Sequence, residues 1–403
     1  MSKNKLAEDW KIVKVGKFVN SVKGKKPKNI SKEQTKNFPL PYVNIKAFEK
    51  GIIDEYTDGV GCVICEEGDF LMVWDGSRSG YVGKGIKGAL GSTLVKLNFP
   101  DIDNNYAYYF LQSKYIEINT RAKGVGIPHV DPNLLWNYEL LIPPLEIQQA
   151  TVSKIEELFS ELDKGIEDLK IAQQQLKIYR QSVLKWAFEG KLTNEKVKDG
   201  ILPKGWEWVK LKEVAKDISD GDHQAPPKAT TGIPFITISN INKSNNRIDF
   251  TNTFKVDTDY YLGLKQNRKP KKGDVLYTVT GSFGIPILID YEKDFCFQRH
   301  IGLVRPLDTT SQKWVFYLLQ SPQVFSQAKE TATGTAQKTV ALGSLRNFDI
   351  AYCNYDEQII IVQEIESRLS VADKMEESIS QSLQQAEALR QSILKKAFSG
   401  ELV

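Results

Sequence analysis

The side chains that could carry nucleophilic, metal or acid–base chemistry are four cysteines, three histidines and the carboxylates, and their spacing supports none of these. Cys62-Val63-Ile64-Cys65 is a lone CxxC, and its possible completions, Cys296 and Cys353, lie in the other half of the chain. Zinc needs a full set of four ligands. The pair sits in a strand-like apolar run, so all four thiols are read as buried structural groups. His129, His223 and His300 are too few and too scattered for a metal site. No G-x-x-x-x-G-K-[ST] loop is present; GYVGKG (80–85) has the glycines but neither the spacing nor the hydroxyl. NFPLPY (37–42) is only loosely similar to the Asn/Asp-Pro-Pro-aromatic motif with which adenine methyltransferases hold a flipped base, and no glycine-rich cofactor strand precedes it. No acidic pair with a lysine suggests a nuclease core, and nothing singles out a nucleophilic triad. The expectation is a chain without a catalytic residue or a metal of its own.

What remains is charge. The 403 residues carry 54 basic and 50 acidic side chains, a formal +4 that hides an alternation. Residues 1–145 are net +4, 146–189 net −2, 190–355 net +6 and 356–403 net −4. Between Trp10 and Lys32 there are eight lysines and no acid, KGKKPK (23–28) among them, and KQNRKPKK (265–272) is the counterpart in the second basic body. Both clusters lie among Gly, Asn and Pro and read as loops. Two positive bodies are the expected footprint of a phosphate-backbone partner, with solvated surface charge as the plain alternative. The composition, 41% hydrophobic and 26% charged, gives each body enough apolar chain for a core. No window suits a membrane span, MSKNKLAEDWKIVK has no apolar leader core, and four cysteines make no disulfide framework. A soluble cytoplasmic protein is expected.

The chain also repeats itself at an offset of about 210 residues. YRQSVLKWAFEGKLT (179–193) aligns with LRQSILKKAFSGELV (389–403), with nine of 15 positions identical, including Arg180/Arg390 and Gly190/Gly400. The same offset pairs Asp163-Lys164 with Asp373-Lys374, and Gly124 and Val130 with Gly334 and Val340. Upstream, GDFLMVWDGSRSG (68–80) resembles GDVLYTVTGSFG (273–284). A period this long means a duplicated domain, not a solenoid.

Two elements stand out as the scaffold. Residues 146–189 contain no Pro, and Ile155, Leu162, Leu169, Leu176 and Val183 recur every seven. Ile365, Ala372, Ile379, Ala386 and Ile393 repeat this in the second copy. Sustained heptads predict two long helices that pair, although polar companions (Gln173, Arg180, Glu376, Arg390) exclude a simple zipper. Pro143-Pro144 and Gly190 punctuate the first helix. The basic bodies read as mixed α/β. Strand-like runs are 42–45, 61–65, 70–74, 234–238, 274–279 and 285–289, predicting a curved antiparallel sheet, with helices near 104–118 and 311–329.

This layout resembles the specificity (S) subunit of type I restriction–modification enzymes. The resemblance is carried by IPPLEIQQ (142–149), the long helix behind it, its ending YRQSVLKWAFEGKLT, the opening LPKGWEWVKLKEV (202–214) and the closing LRQSILKKAFSGELV. It covers essentially the whole chain. It departs from the family pattern where YCNYDEQ (352–358) replaces a Pro-Pro motif and DWKIVKV (9–15) abbreviates the PKGW opening.

The resemblance implies an α+β chain: two tandem α/β target recognition domains separated by two long antiparallel coiled-coil helices, with an internal pseudo-two-fold repeat. The expected segments are domain 1 at 1–142, the central helix at 143–190, a linker at 191–201, domain 2 at 202–352 and the C-terminal helix at 353–403. Each domain would read one half of a bipartite, asymmetric site in double-stranded DNA. The helices would set the spacer and dock two methyltransferase (M) subunits, which bind S-adenosylmethionine and methylate adenine. Restriction (R) subunits, using ATP and Mg, would complete the assembly. No cofactor and no membrane contact is expected for this chain itself.

DNA-facing residues are sought in polar or basic loops at equivalent places in the two halves. In the first they are Lys23, Lys25, Lys26, Lys28, Arg78, Lys84, Arg121 and Lys123. In the second they are His223, Gln224, Lys228, Asn242, Lys243, Ser282, Gln298, Arg299, Thr335, Gln337 and Lys338. TGTAQKT (333–339) is attractive because Gly334 permits close backbone approach and Gln337 could pair with adenine. The rival readings are a coiled-coil scaffold without sequence-specific DNA binding, and a nuclease or methyltransferase acting alone.

Overall fold

A computed structural model describes residues 10–194, 196–198, 200–223 and 226–402. Packing divides the described chain into two units. Unit 1 holds the residues up to Leu169 together with those from Gln381 onward, and unit 2 holds Lys170–Ser380.

Each unit is built on a four-stranded antiparallel sheet of the same order. In unit 1 the strands run Asn20–Lys23, Leu94–Asn98, Phe70–Val73, Val82–Lys84; in unit 2 they run Ala215–Asp220, Ile301–Pro306, Val275–Thr278, Pro286–Leu288. The central strands Phe70–Val73 and Val275–Thr278 are buried along their whole length, apolar but for Thr278, because both their faces are covered. Side chains of a strand alternate in direction, so Phe70 and Met72 join one core and Leu71 and Val73 another. Val275 and Tyr277 likewise face one core and Leu276 a second. Sequence periodicity predicted antiparallel pairing, and the main sheets obey it. The additional small sheets depart from it: Leu40–Val43 pairs parallel with Gly88–Leu90, and Ile233–Ile236 parallel with Cys296–Phe297. Strands of two to four residues carry too little pattern to reveal their partner.

A two-stranded ribbon closes each unit beside a long helix, Lys11–Lys14 with Glu139–Ile142 and Glu207–Lys210 with Asp349–Tyr352. Helices fall near both expected places, as Asn104–Ser113 and Tyr115–Thr120 in unit 1 and Gln312–Gln320 and Pro322–Thr331 in unit 2.

The long helices are Leu145–Phe188 and Tyr355–Ser399. Residues 145–169 and 381–399 pack in unit 1, and residues 170–188 and 355–380 in unit 2. In unit 1, Ile155 and Phe159 form a cluster with Ile393, Leu394 and Ala397, while Asp163 pairs with Arg390. Rising numbers on one helix meet falling numbers on the other, so the pair is antiparallel. In unit 2, Val183 and Leu184 share a core with Ile361, Val362 and Ile365, and Arg180 reaches Asp373 at 2.7 Å and Glu376 at 2.9 Å. The ion pairs Asp163–Arg390 and Arg180–Asp373 are reciprocal under the 210-residue offset. The polar companion positions that spoil a zipper pattern therefore latch the helices. Of the heptad row, Ile155, Leu176, Val183, Ile365, Ala372, Ala386 and Ile393 are buried; Leu162, Leu169 and Ile379 are half-buried.

The repeated helix ending has a structural reason. Phe188 packs on Trp314 in unit 2, and its equivalent Phe398 packs on Tyr106 in unit 1, with ring centroids 5.6 and 5.1 Å apart. Gly190 and Gly400 follow with φ of +74° and +79°, the left-handed conformation that ends a helix and that glycine adopts without Cβ strain. A buried glutamine ties each helix start to its domain. Gln148 Nε2 donates to Pro143 O at 2.8 Å, and its Oε1 accepts the Asp103 N–H at 2.9 Å. Gln358 does the same with Cys353 O (2.9 Å) and the Ser311 N–H (2.8 Å). No helix among the described residues is long and apolar enough to cross a membrane.

Candidate nucleic-acid interface

In each unit two loops lie side by side at one end of the central strand. In unit 1 the turn after Phe70–Val73 runs through Asp75-Gly76-Ser77-Arg78, and Gly76 N–H donates to Pro128 O of the second loop at 2.8 Å. That second loop is closed by two backbone bonds, Lys123 N–H to His129 O (2.9 Å) and His129 N–H to Lys123 O (2.7 Å). It is anchored by Val130 N–H to Trp74 O at 2.9 Å. Unit 2 repeats the construction. Thr333 and Thr339 exchange bonds of 3.0 and 2.8 Å, Gly281 N–H donates to Lys338 O at 2.9 Å, and Val340 N–H donates to Val279 O at 2.8 Å. The Gly124/Gly334 and Val130/Val340 pairs of the sequence repeat are the hinge and the anchor of these loops.

Around the first loop the structure brings together Lys23, Arg78, Arg121 and Lys123. Lys23 Nζ is 2.8 Å from Asp75, whose backbone bridges to His129. Arg78 is 3.1 Å from Glu49, and its guanidinium lies 4.0 Å from the Tyr81 ring centroid. Arg121 is held 3.3 Å from Glu117 on the preceding turn of helix. Lys123 is 2.9 Å from Asp131 and, by hydrogen bonding to it, holds that carboxyl below its usual range. These four cations are already partnered. Lys23, Arg121 and Lys123 are in exposed surface pairs that a phosphate could compete with. Arg78 is instead held against Glu49, a side chain only 10% exposed, and would leave that carboxylate unpaired if it moved. Lys25, Lys26 and Lys28 follow on the chain, exposed and without an ion-pair partner among the described residues.

Lys84 is placed elsewhere. Its Nζ is 2.5 Å from Asn105 Oδ1 and 4.8 Å from the Tyr108 ring centroid, and burial lowers its pKa against the raising influence of Glu156 and Asp103. It belongs to the helix side of unit 1, not to the loops.

In unit 2 the loops gather Lys243, Ser282, Arg299, Thr335, Gln337 and Lys338. Lys243 Nζ donates to Ser282 Oγ at 2.7 Å, and Thr339 Oγ1 to Thr280 Oγ1 at 3.2 Å. Asn242, beside Lys243, caps its own turn by accepting from Ser244 N–H at 3.0 Å. A cavity between the loops and the sheet end is lined by Asp220, Thr280, Arg299, His300 and Thr339. There His300 has a lowered pKa, first because it is partly buried and then because Arg299 adjoins it. Gln298 pairs through its backbone with Asp222, and His223 Nε2 lies 3.1 Å from Asp220. Lys228 instead lies over the Phe254 ring at 5.3 Å, away from the loop pair. Gln224 is outside the described residues.

The run KQNRKPKK is not the free basic loop its composition suggests. Arg268 is 3.2 Å from Asp222, and Lys269 is buried with Nζ donating to Leu262 O at 2.9 Å. Lys265, Lys271 and Lys272 are its exposed cations. Sequence reasoning also missed Asn119, whose Nδ2 donates to Ser77 O and Ser79 O at 3.0 Å and braces the Arg78 turn. It missed Val125 and Ile127, aliphatic residues exposed at the tip of the first loop. Polarity was the search signal there, and it passes over apolar residues by construction.

Three of the four cysteines are buried as expected, and Cys62 departs from that expectation, because its end of the CxxC run lies in a turn at the surface and not inside the strand. Burial pushes the thiols of Cys65 up to about 11 and of Cys296 and Cys353 up to about 12, which keeps them protonated and unreactive at neutral pH. Cys62 is half-exposed, and no cluster of metal-binding side chains occurs among the described residues.

Comparison with known proteins bears on the whole arrangement. The family model of the type I restriction modification DNA specificity domain matches twice, over residues 7–170 and 203–387. The type I restriction enzyme MjaVIII specificity subunit of Methanocaldococcus jannaschii is 28% identical over 412 aligned residues, covering 99% of this chain and 94% of that protein. The EcoBI specificity subunit of Escherichia coli is 25% identical, covering 90% and 80%. Two solved structures share the fold. One is a chain from a study of assembly and conformational transition of the type I R-M system, with TM-score 0.71, 21% identity and coverage of 99% and 100%. The other is the HsdS subunit from Thermoanaerobacter tengcongensis, with TM-score 0.58, 20% identity and 99% coverage of each chain.

Proposed function

The chain belongs to the family of specificity subunits of type I restriction–modification enzymes, and from that premise we propose that each of its two basic domains reads one half of a bipartite, asymmetric site in double-stranded DNA. One observation carries the reading. The family match is doubled, and each matched region contains the same glycine-hinged loop with exposed cations beside it.

Phosphate contacts position such a protein and base contacts specify the sequence. Lys25, Lys26 and Lys28 suit the first role, because each can neutralise a phosphate without abandoning a carboxylate. Thr335 and Gln337 suit the second, as exposed donors and acceptors at a loop tip. The paired helices fix the separation of the half-sites. Each is unbroken over 44 or 45 residues. At ~1.5 Å per residue the shorter is about 66 Å long, ample for half-sites about 34–36 Å apart on one face of B-DNA.

The duplicated framework suits two identical M subunits, one for each copy. Those subunits hold S-adenosylmethionine and methylate adenine; R subunits with ATP and Mg translocate and cut the DNA. This chain contributes recognition alone and works in the cytoplasm, where its DNA is. A helix-paired scaffold without DNA specificity leaves the two basic loop clusters without a purpose.

The test is methylation mapping by single-molecule sequencing, with the chain co-expressed with its M partner in a host lacking adenine methylation. A bipartite motif with methyladenine in both halves is expected. Exchanging residues 202–350 for those of a relative should change one half only. Assembly without any sequence-specific methylation or binding would overturn the reading.

A further inference from the structure

The two glycine-hinged loops agree in backbone and differ in chemistry. Gly124 and Gly334 both have φ of +109°, and a Cβ on either would lie 2.4 Å from Ile127 O or 2.3 Å from Gln337 O. Any other residue would therefore open the loop. In this common register Val125, Gly126, Ile127 and Pro128 stand where Thr335, Ala336, Gln337 and Lys338 stand. The second tip offers three polar side chains. The first offers no side-chain donor or acceptor at all, so it has no means of reading a base edge by a side-chain hydrogen bond.

It does offer apolar surface. Val125 is fully exposed and Ile127 is 70% exposed. Single exposed aliphatics are ordinary. These two share one tip, and that tip is held in shape by the four backbone bonds of Lys123, His129, Gly76 and Val130. Its base is ringed by Lys23, Arg78, Arg121 and Lys123, with Lys25, Lys26 and Lys28 beyond. An apolar tip on a cationic base fits a polyanion whose interior is apolar.

We propose that loop 123–129 reads its half-site by apolar contact, pressing Val125 and Ile127 against base surface of the duplex, whereas loop 333–339 reads by hydrogen bonds through Thr335 and Gln337. The base surface is either a thymine methyl in the major groove or the face of a base at an opened step. The inference rests on the DNA-specificity reading and adds to it the chemistry of one half-site. Such contact releases no counterion, so its share of the affinity does not change with salt.

The experiment uses the complex with its M subunits and duplexes carrying the mapped site. In one arm each thymine of the half-site read by unit 1 is replaced by deoxyuridine, which removes the methyl. In the other, adenines of that half-site are replaced by 2-aminopurine, whose fluorescence rises when its neighbours unstack. The wild-type chain should show a deoxyuridine penalty or a fluorescence rise, and the arm that responds identifies the surface touched. Val125→Ser with Ile127→Ser, both exposed positions that folding does not need, should abolish that response. The double variant should weaken specific binding about tenfold to a hundredfold with an unchanged salt slope. Thr335→Ala with Gln337→Ala should leave the response intact and act on the other half-site.

A wild-type complex silent in both arms overturns the inference. So does a double variant that binds normally, or one whose loss is accompanied by a shallower salt slope. If the wild-type complex binds no specific site, the DNA-specificity reading falls, and this inference with it.

Discussion

Replacing Gln358 with alanine tests how each long helix is fastened to its domain. The side chain is fully buried, with Nε2 on Cys353 O at 2.9 Å and Oε1 on the Ser311 N–H at 2.8 Å. Ser311 is the N-cap of Gln312–Gln320, so one amide joins the start of the long helix to the start of the domain helix. Ser311 and Cys353 are themselves buried. Truncation leaves a buried N–H and a buried C=O unpaired, at about 1–3 kcal/mol each. Allowing for some relaxation, a net loss of about 2–5 kcal/mol is expected, a large part of the ~5–15 kcal/mol that holds a domain folded. Hydrogen exchange followed by mass spectrometry on the full chain reads it directly. Peptides covering 311–320 and 355–365 should exchange faster by the corresponding factor, and peptides of unit 1 should not. Gln148→Ala should give the mirror result, with the effect confined to unit 1, because Gln148 bonds Asp103 N–H and Pro143 O in the same way. Gln358→Met keeps most of the volume and removes both bonds, so it separates packing from hydrogen bonding. An effect of Gln358→Ala below about 0.5 kcal/mol, the range of ordinary surface changes, would refute the clip.

Further outcomes follow from the loops, the thiols and the helix join. Changing Lys25, Lys26 and Lys28 together to glutamine should weaken DNA binding about equally on all sequences and lower the salt slope by about 0.9 for each phosphate no longer neutralised, read from binding titrations across a salt series. A thiol reagent on the native chain should modify one cysteine, Cys62, and all four only after denaturation, because Cys65, Cys296 and Cys353 are buried. These three thiols keep their protons in the fold up to about pH 11–12, while the unfolded chain loses its own nearer 8.5. Unfolding then releases protons, so their contribution makes stability fall as pH rises above about 8.5, measurable as a falling denaturation midpoint. Inserting four residues between Lys191 and Lys198, behind the first long helix, should lengthen the spacer in the mapped methylation motif and leave both half-sites as they were. A changed half-site with an unchanged spacer would count against the helices as the ruler.

Much of the scaffold was legible in the chain. Heptads sustained along whole helices, the 210-residue repeat and the glycines at helix ends are linear patterns, and linear patterns survive without coordinates. The central strands, apolar but for Thr278, were visible for the same reason. The parallel partners of Leu40–Val43 and Ile233–Ile236 were not, since two-residue pairings leave no period to read. The interface was legible in part. The repeat marked Gly124 and Gly334, and composition marked the lysines. Neither could show that Lys84 turns to Asn105, or that Lys269 is buried on Leu262 O.

The amino-acid sequence by itself determined that this protein is a duplicated α+β chain with two long pairing helices and two basic bodies. It did so because hydrophobic period, identity at a fixed offset and charge per segment are properties of the chain alone. Tertiary structure decided which cations are already paired, which glutamines clip helix to domain, and which side chains crown each loop. Lys23 meets Asp75 across 52 positions and Arg390 meets Asp163 across 227, distances at which only folding sets the neighbour. The same holds for Val125 and Ile127, which composition counts as core and the closed loop carries into solvent.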